Sequence, residues 1–270
     1  MKTIQATAIA IAAILSAPAL GDDSCTAASG AQRVALLELY TSEGCDSCPP
    51  TDRWVSGLPD RGFGPDRVVA LGFHVDYWNY LGWTDPFARS EYSARQRAAS
   101  HRNRARFVYT PQLLLNGQDF RRGMLGDGLS GKLRELESVA PRASIRLMLR
   151  SPSTQVLEVS GSASVSDPAA ARESRLYYAL YENRLATEVR SGENRGKRLL
   201  HDFVVRRFAG PFPVDAPGHR FTIDSGWKPD DLRLAAFVQD ERTGDVLQAL
   251  ATPLCENRNR AAAGTAGPAR

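Results

Sequence analysis

Two cysteines separated by two residues, in Cys45-Asp46-Ser47-Cys48, are the part of this chain best suited to chemistry. Thiols at that spacing can close a small disulfide ring and reopen it, and so carry two electrons. The same spacing supplies half of many zinc sites, but no second Cys pair and no His pair at zinc spacing follows it. His74 could assist proton transfer, or join Cys45 and Cys48 as a soft copper ligand. Its neighbours Phe73 and Val75 equally suit a structural histidine in a buried run. Glu38 stands inside an apolar segment where burial disfavours the charged carboxylate, which makes it the candidate to exchange a proton with Cys48. The plainer alternative for Glu38 is a pairing with a basic side chain at a sheet edge.

The elements that must position these residues alternate between strand and helix in the first half of the chain. Val34 to Tyr40 is a short apolar run suited to a strand buried on both faces, and Val68 to Val75 is a second. Between them, Pro49-Pro50-Thr51-Asp52 can open a helix carrying Trp54, Val55 and Leu58 and ending near Gly62. Strand, helix and strand within roughly 40 residues imply a parallel crossover. Ser90 to Phe107 reads as a long helix with an Arg-rich, solvated face. Thr110-Pro111 leads into Gln112 to Leu115, and Asn116-Gly117 is a hairpin turn signal that makes the next strand antiparallel.

Past Pro141 the period changes. Ile145, Leu147 and Leu149 alternate with polar residues, as do Leu157 and Val159; Leu176, Tyr178 and Leu180 are read the same way. The expected fold class is therefore an α/β domain over residues 31–141 followed by an all-β, sandwich-like domain over 142–255.

Three segments then carry a resemblance: Glu38 to Pro50 (ELYTSEGCDSCPP), Phe73 to Trp78 (FHVDYW) and Tyr109-Thr110-Pro111-Gln112. The order of strand, Cys-x-x-Cys, helix, strand and Thr-Pro resembles the thioredoxin-like superfamily. More closely, the three segments resemble a family of secreted bacterial proteins of unknown function. The superfamily resemblance implies a thioredoxin-like fold for the first domain and a cis proline at Pro111. It also implies a solvent-facing Cys45 that attacks as thiolate and a buried Cys48 that resolves the mixed disulfide. Pro111 would then shape the site and leave Thr110 able to pair with an extended substrate, while Trp78, Tyr80 and Trp83 could form an aromatic lid over it or equally a core cluster. The chain departs from that pattern in its Pro-Pro after the second cysteine, which should push Cys48 away from helical geometry, and in the longer stretch before Pro111.

The ends and the composition bound the setting. Lys2, the apolar Ile4 to Leu15 and the small residues around Ala17-Pro18-Ala19 read as an export signal over 1–21. No segment approaches the roughly 20 apolar residues of a membrane span, so stable membrane insertion is not expected. The expected location is periplasmic or secreted, where disulfides persist, and there Cys25 and Cys255 are candidates for a structural bridge between the ends of the mature chain. Residues 256–270 lack an apolar pattern and read as a disordered tail. The formal charge of +4 is too small to argue for nucleic-acid binding. The expected function is an exported thiol-disulfide oxidoreductase leaning to reduction or isomerisation, using the Cys-x-x-Cys pair on protein or small-molecule disulfides, with no cofactor. Its partners would be exported protein thiols or disulfides and a separate redox partner. The alternatives are a non-enzymatic binding module and a copper chaperone using Cys45, Cys48 and His74.

Overall fold

The computed structural model describes residues 24–121, 128–215 and 218–255. The expected export signal over 1–21 and the tail over 256–270 lie outside the described residues. In chain order, β1 (Ser24–Ala28), β2 (Ala35–Thr41), α1 (Pro49–Ser56), β3 (Val68–His74) and α2 (Ser90–Arg102) come first. They are followed by β4 (Gln112–Leu115), β5 (Gln118–Asp119), α3 (Gly128–Glu137), β6 (Ala143–Ser153), β7 (Val156–Val165) and α4 (Pro168–Glu173). The last elements are β8 (Ser174–Glu182), β9 (Leu185–Glu188), β10 (Arg198–His201), β11 (Val204–Phe212), β12 (His219–Thr222), β13 (Leu232–Asp240) and β14 (Val246–Pro253).

β2 and β3 pair in parallel from Ala35↔Val68 to Thr41↔His74, and every residue of both is buried. The antiparallel β4 flanks β2, with Tyr40 opposite Gln112. Asn116 and Gly117, both at positive φ, turn the chain into β5. That hairpin turn needs left-handed backbone at two successive positions, which Asn-Gly supplies.

The expected division into an α/β thioredoxin-like domain and a separate β-sandwich is overturned. One eight-stranded mixed sheet, in the order β14-β13-β8-β11-β3-β2-β4-β5, runs through both halves of the chain. Strand β11 pairs in parallel with β3 at Val204↔Gly72, covering an edge that would otherwise leave unpaired backbone groups. The physical reason is burial on both faces. Tyr177, Ala179 and Tyr181 are as buried as Leu176, Tyr178 and Leu180, so β8 is a central strand rather than one face of a sandwich sheet. Period-2 burial does hold in β6, which alternates over Ala143 to Arg150 and belongs to a four-stranded sheet, β1-β6-β7-β12.

One apolar cluster spans a whole face of the large sheet, from Leu36, Tyr40 and Phe73 through Tyr92 of α2 to Tyr177 and Phe237. The opposite face carries two others. Leu37, Leu39 and Ala70 pack with Val55, Leu58 and Leu133 under α1 and α3. Leu176, Tyr178, Leu234 and Ala236 pack with Ile145, Leu147 and Val159 of the smaller sheet. The expected Cys25–Cys255 disulfide is present, with Cα atoms 5.6 Å apart, and ties β1 to the end of β14. No helix among the described residues is long and apolar enough to cross a membrane.

Candidate functional site

The parallel register that ends at Thr41↔His74 brings the loops after β2 and β3 out at one edge of the sheet, where parallel strands gather functional residues. Cys45 follows β2 by four residues, and Cys45 and Cys48 form a disulfide with Cα atoms 5.4 Å apart. Cys48 caps α1, whose first two residues are Pro49 and Pro50. The expected displacement of Cys48 from helical geometry does not occur: its φ of −75° and ψ of −42° are helical, and its carbonyl accepts from the Thr51 and Asp52 amides. Ser47 Oγ lies 3.4 Å from Cys45 Sγ.

Thr110–Pro111 is a cis peptide, and Pro111 immediately precedes the Gln112–Tyr40 pair, beside the end of β2. Trp78 links this segment to the cysteine loop. Its Nε1 donates to Thr110 Oγ1 at 2.7 Å, and a Cβ on Gly44 would come within 3.0 Å of Trp78 Cβ. The structure thus brings together Cys45, Cys48, Thr110, Pro111 and Trp78.

Glu38 is not among them. Side chains alternate along β2, so Glu38 shares a face with Leu36 and Tyr40, opposite the face that packs on α1. There its Oε1 accepts from Arg95 Nε at 2.7 Å and from the Tyr40 hydroxyl at 3.2 Å. Arg95 comes from α2 and is itself buried among Phe73, Tyr177, Phe208 and Phe237 rather than on a solvated face. Glu38 is therefore one half of a buried ion pair on the far side of the sheet.

The carboxylate on the α1 side is Asp52. Cys48, Asp52 and Val55 stand at i, i+4 and i+7, one stripe of the helix, and all three are buried against the sheet. Asp52, Thr41, His74 and His201 line a cavity of about 10 Å³. Burial pushes the Asp52 carboxyl above its ordinary range, and the nearby His201 and His74 only partly offset this. His74 Nδ1 is 2.7 Å from Asp85 Oδ2. Burial acts to lower the His74 pKa, but the charge and hydrogen bond of Asp85 outweigh it and hold the ring above its ordinary value. For Asp85, burial acts upward but is overcome by His74 and by the amides of Glu43 and Phe87, so the carboxyl sits below its usual range. His201 Nε2 lies 3.0 Å from Glu43 Oε1, whose other oxygen accepts from Trp83 Nε1 at 2.8 Å. The two imidazoles meet edge to face at 5.1 Å between centroids. His74 Nδ1 is thus committed to Asp85, and no cluster of three metal-ligating side chains suited to a metal ion occurs among the described residues.

Both sulfurs are shut away. Cys45 and Cys48 are each 0% exposed, contrary to the expectation of a solvent-facing Cys45. Residues 190–197, in the loop of the β9–β10 hairpin, lie against the main chain of the cysteine loop. Asn194 Nδ2 donates to the carbonyls of Glu43 at 2.8 Å and Cys45 at 2.9 Å. Glu193 accepts from the Asp46 amide at 3.2 Å, and Ser191 Oγ donates to the Gly82 carbonyl. Asn194, His201 and Asp85 have no local sequence signal for this site. The i, i+4 spacing of Cys48 and Asp52 was the readable clue.

Fold and site define a mixed-sheet protein with a Cys-x-x-Cys disulfide at the carboxyl ends of two parallel strands, next to a cis proline. The chain belongs to the family described as Protein of unknown function (DUF1223), whose model matches residues 36–239. It is similar to the crystal structure of protein AGR_C_4864 from Agrobacterium tumefaciens, 24% identical with a TM-score of 0.58, over 84% of this chain and 98% of that one. It is also similar to HBP35 of Porphyromonas gingivalis, 13% identical with a TM-score of 0.61, over 84% of this chain and 77% of that one. Both likenesses concern the fold. No curated protein matches the chain.

Proposed function

We propose that this protein is an exported thiol-disulfide oxidoreductase of the periplasm or extracellular space, acting on protein disulfides as a reductase or isomerase. The observation that carries this reading is the placement of Cys45–Cys48 on the loop that Trp78 joins to Thr110–Pro111, with Trp78 against Gly44 and bonded to Thr110. The motif-level resemblance to the thioredoxin-like superfamily belongs to the same reading, and the two disulfides suit an oxidising compartment.

In the reduced protein, the Cys45 thiolate attacks a substrate disulfide, forms a mixed disulfide and releases one substrate thiolate. Cys48, deprotonated, then attacks Cys45 Sγ, releases the second substrate thiolate and closes the protein disulfide. Two electrons pass to the substrate, and an external dithiol partner must return them. Asp52 takes over the proton-holding task that the sequence suggested for Glu38, because it shares the buried stripe of α1 with Cys48.

Trapping tests the reading. Cys48→Ala should accumulate mixed disulfides with protein substrates, and Cys45→Ala should not. Equal silence of both variants, with no turnover of a model protein disulfide by the wild type, would remove it. The complete burial of both sulfurs favours one competing reading, a binding module that keeps the bridge as a structural part. Turnover separates the two.

A further inference from the structure

The loop that lies against the cysteine loop holds on in an unusual way. Three of its side chains reach main-chain atoms: Asn194 at Glu43 O and Cys45 O, Glu193 at Asp46 N, and Ser191 at Gly82 O. Along the cysteine loop this amounts to two hydrogen bonds donated, to the carbonyls of Glu43 and Cys45, and one accepted, from the amide of Asp46. An extended polypeptide presents the same complement from its own amides and carbonyls, whatever its sequence. Within the loop, the amide of Val189 donates to the Lys197 carbonyl, Gly196 to Val189, Arg195 to Gly192 and Lys197 to Asn194, and the parent strands β9 and β10 form a two-stranded sheet apart from the two larger ones. Gly192, at a φ of +72°, lies so close to Trp83 that a Cβ placed on it would come within 3.2 Å of Trp83 Cβ. Contact is thus close, polar and built from groups that water can satisfy once they part.

We infer that residues 190–197 are an internal occupant of a polypeptide-docking site, displaced when an extended segment of a partner protein takes over their hydrogen bonds to Glu43, Cys45 and Asp46. This rests on the reading that Cys45 forms mixed disulfides with polypeptides, and it names the partner's chemistry: an unfolded or extended chain rather than a small thiol. A partner segment lying there would run between the Asp46–Gly82 side and the Trp78–Thr110 side of Cys45. Small thiols gain nothing from the displaced bonds and must wait for the loop to lift unaided.

Two experiments test this without relying on turnover. The first follows reduction of each disulfide by dithiothreitol, using thiol labelling and peptide mass spectrometry. Asn194→Ala removes its two hydrogen bonds to the cysteine loop, together with the one it accepts from Lys197 Nζ, and should speed opening of Cys45–Cys48 by about 5- to 150-fold, while Cys25–Cys255, far from the loop, keeps its rate. Equal acceleration of both bridges, or of neither, overturns the inference. The second compares hydrogen exchange in Cys48→Ala protein carrying either a methylthio group or an extended cysteine-containing peptide on Cys45. The amides of Val189, Gly196 and Lys197, bonded within the loop, should lose protection in the peptide adduct and keep it in the methylthio adduct. Protection retained with the peptide overturns the proposal. If the loop behaves as described but no protein disulfide is turned over, the oxidoreductase reading fails and the docking site stands.

Discussion

Glu38 offers a decisive perturbation, because its two assigned tasks predict opposite phenotypes. Glu38→Ala leaves the Arg95 guanidinium without its 2.7 Å carboxylate, inside a box of four aromatic rings whose centroids lie 5.0–5.7 Å away. The weak bond from Arg95 to Gln239 Oε1, at 3.2 Å, cannot replace a charge partner. Breaking one side of a buried ion pair destabilises by about 3–5 kcal/mol, because a charge is stranded in low dielectric. With a urea slope of about 2–3 kcal/mol/M, the unfolding midpoint should fall by about 1–2.5 M. Because Glu38 lies on the face opposite α1, the folded variant should keep the wild-type midpoint potential for Cys45–Cys48. The double variant Glu38→Leu with Arg95→Met should recover most of the lost stability, since apolar side chains of similar volume replace the pair without stranding a charge. A urea midpoint shifted by less than about 0.5 M, or an altered redox potential at unchanged stability, would refute the placement of Glu38.

Four further outcomes follow from the site and its frame. Replacing Cys25 and Cys255 by Ser opens a loop with a sequence separation of 230 residues, and the chain-entropy relation then gives a loss of about 5 kcal/mol by denaturant melting. The raised His74 contributes stability below its unfolded value near 6.5, lost as pH rises through its folded value; the lowered Asp85 contributes above about 3.9, lost as pH falls through its own. His74→Gln should therefore cost the most stability between about pH 4 and 6.5 and flatten the decline on either side of that window in pH-dependent melts. The raised Asp52 runs the other way, favouring the fold at low pH and opposing it once ionised, so Asp52→Asn should gain stability at neutral pH in thermal melts. Asp46→Asn removes a negative charge beside Cys45 and should raise the midpoint potential by about 10–20 mV; an unchanged potential would show that this charge does not act on the couple.

Much of this arrangement is written locally in the chain. The buried runs of β2 and β3, the Asn116-Gly117 turn and the Cys-x-x-Cys all rest on short-range patterns, and each is found where its residues suggest. The sheet's continuity was also present in the sequence but read through the wrong period: Leu176, Tyr178 and Leu180 alternate only if Tyr177, Ala179 and Tyr181 are passed over. Uninterrupted apolar runs such as these mark a strand covered on both sides. Glu38 was misplaced for a related reason, since parity along β2 sets its face and an apolar neighbourhood does not. The contact against the cysteine loop had no local trace. Asn194 meets Cys45 across 149 residues of sequence, and a polar loop between two short strands gives no sign of where its side chains will land.

The central claim is that Cys45–Cys48 is a working redox couple, and equilibrium titration in graded dithiothreitol buffers with peptide-mapped thiol labelling tests it most directly. The account predicts a reversible two-electron transition of the folded protein nearer ~−270 mV than ~−120 mV, with Cys25–Cys255 still closed there because its own potential lies below about −300 mV. A Cys45–Cys48 bridge that opens only together with Cys25–Cys255, as the protein unfolds, would contradict it.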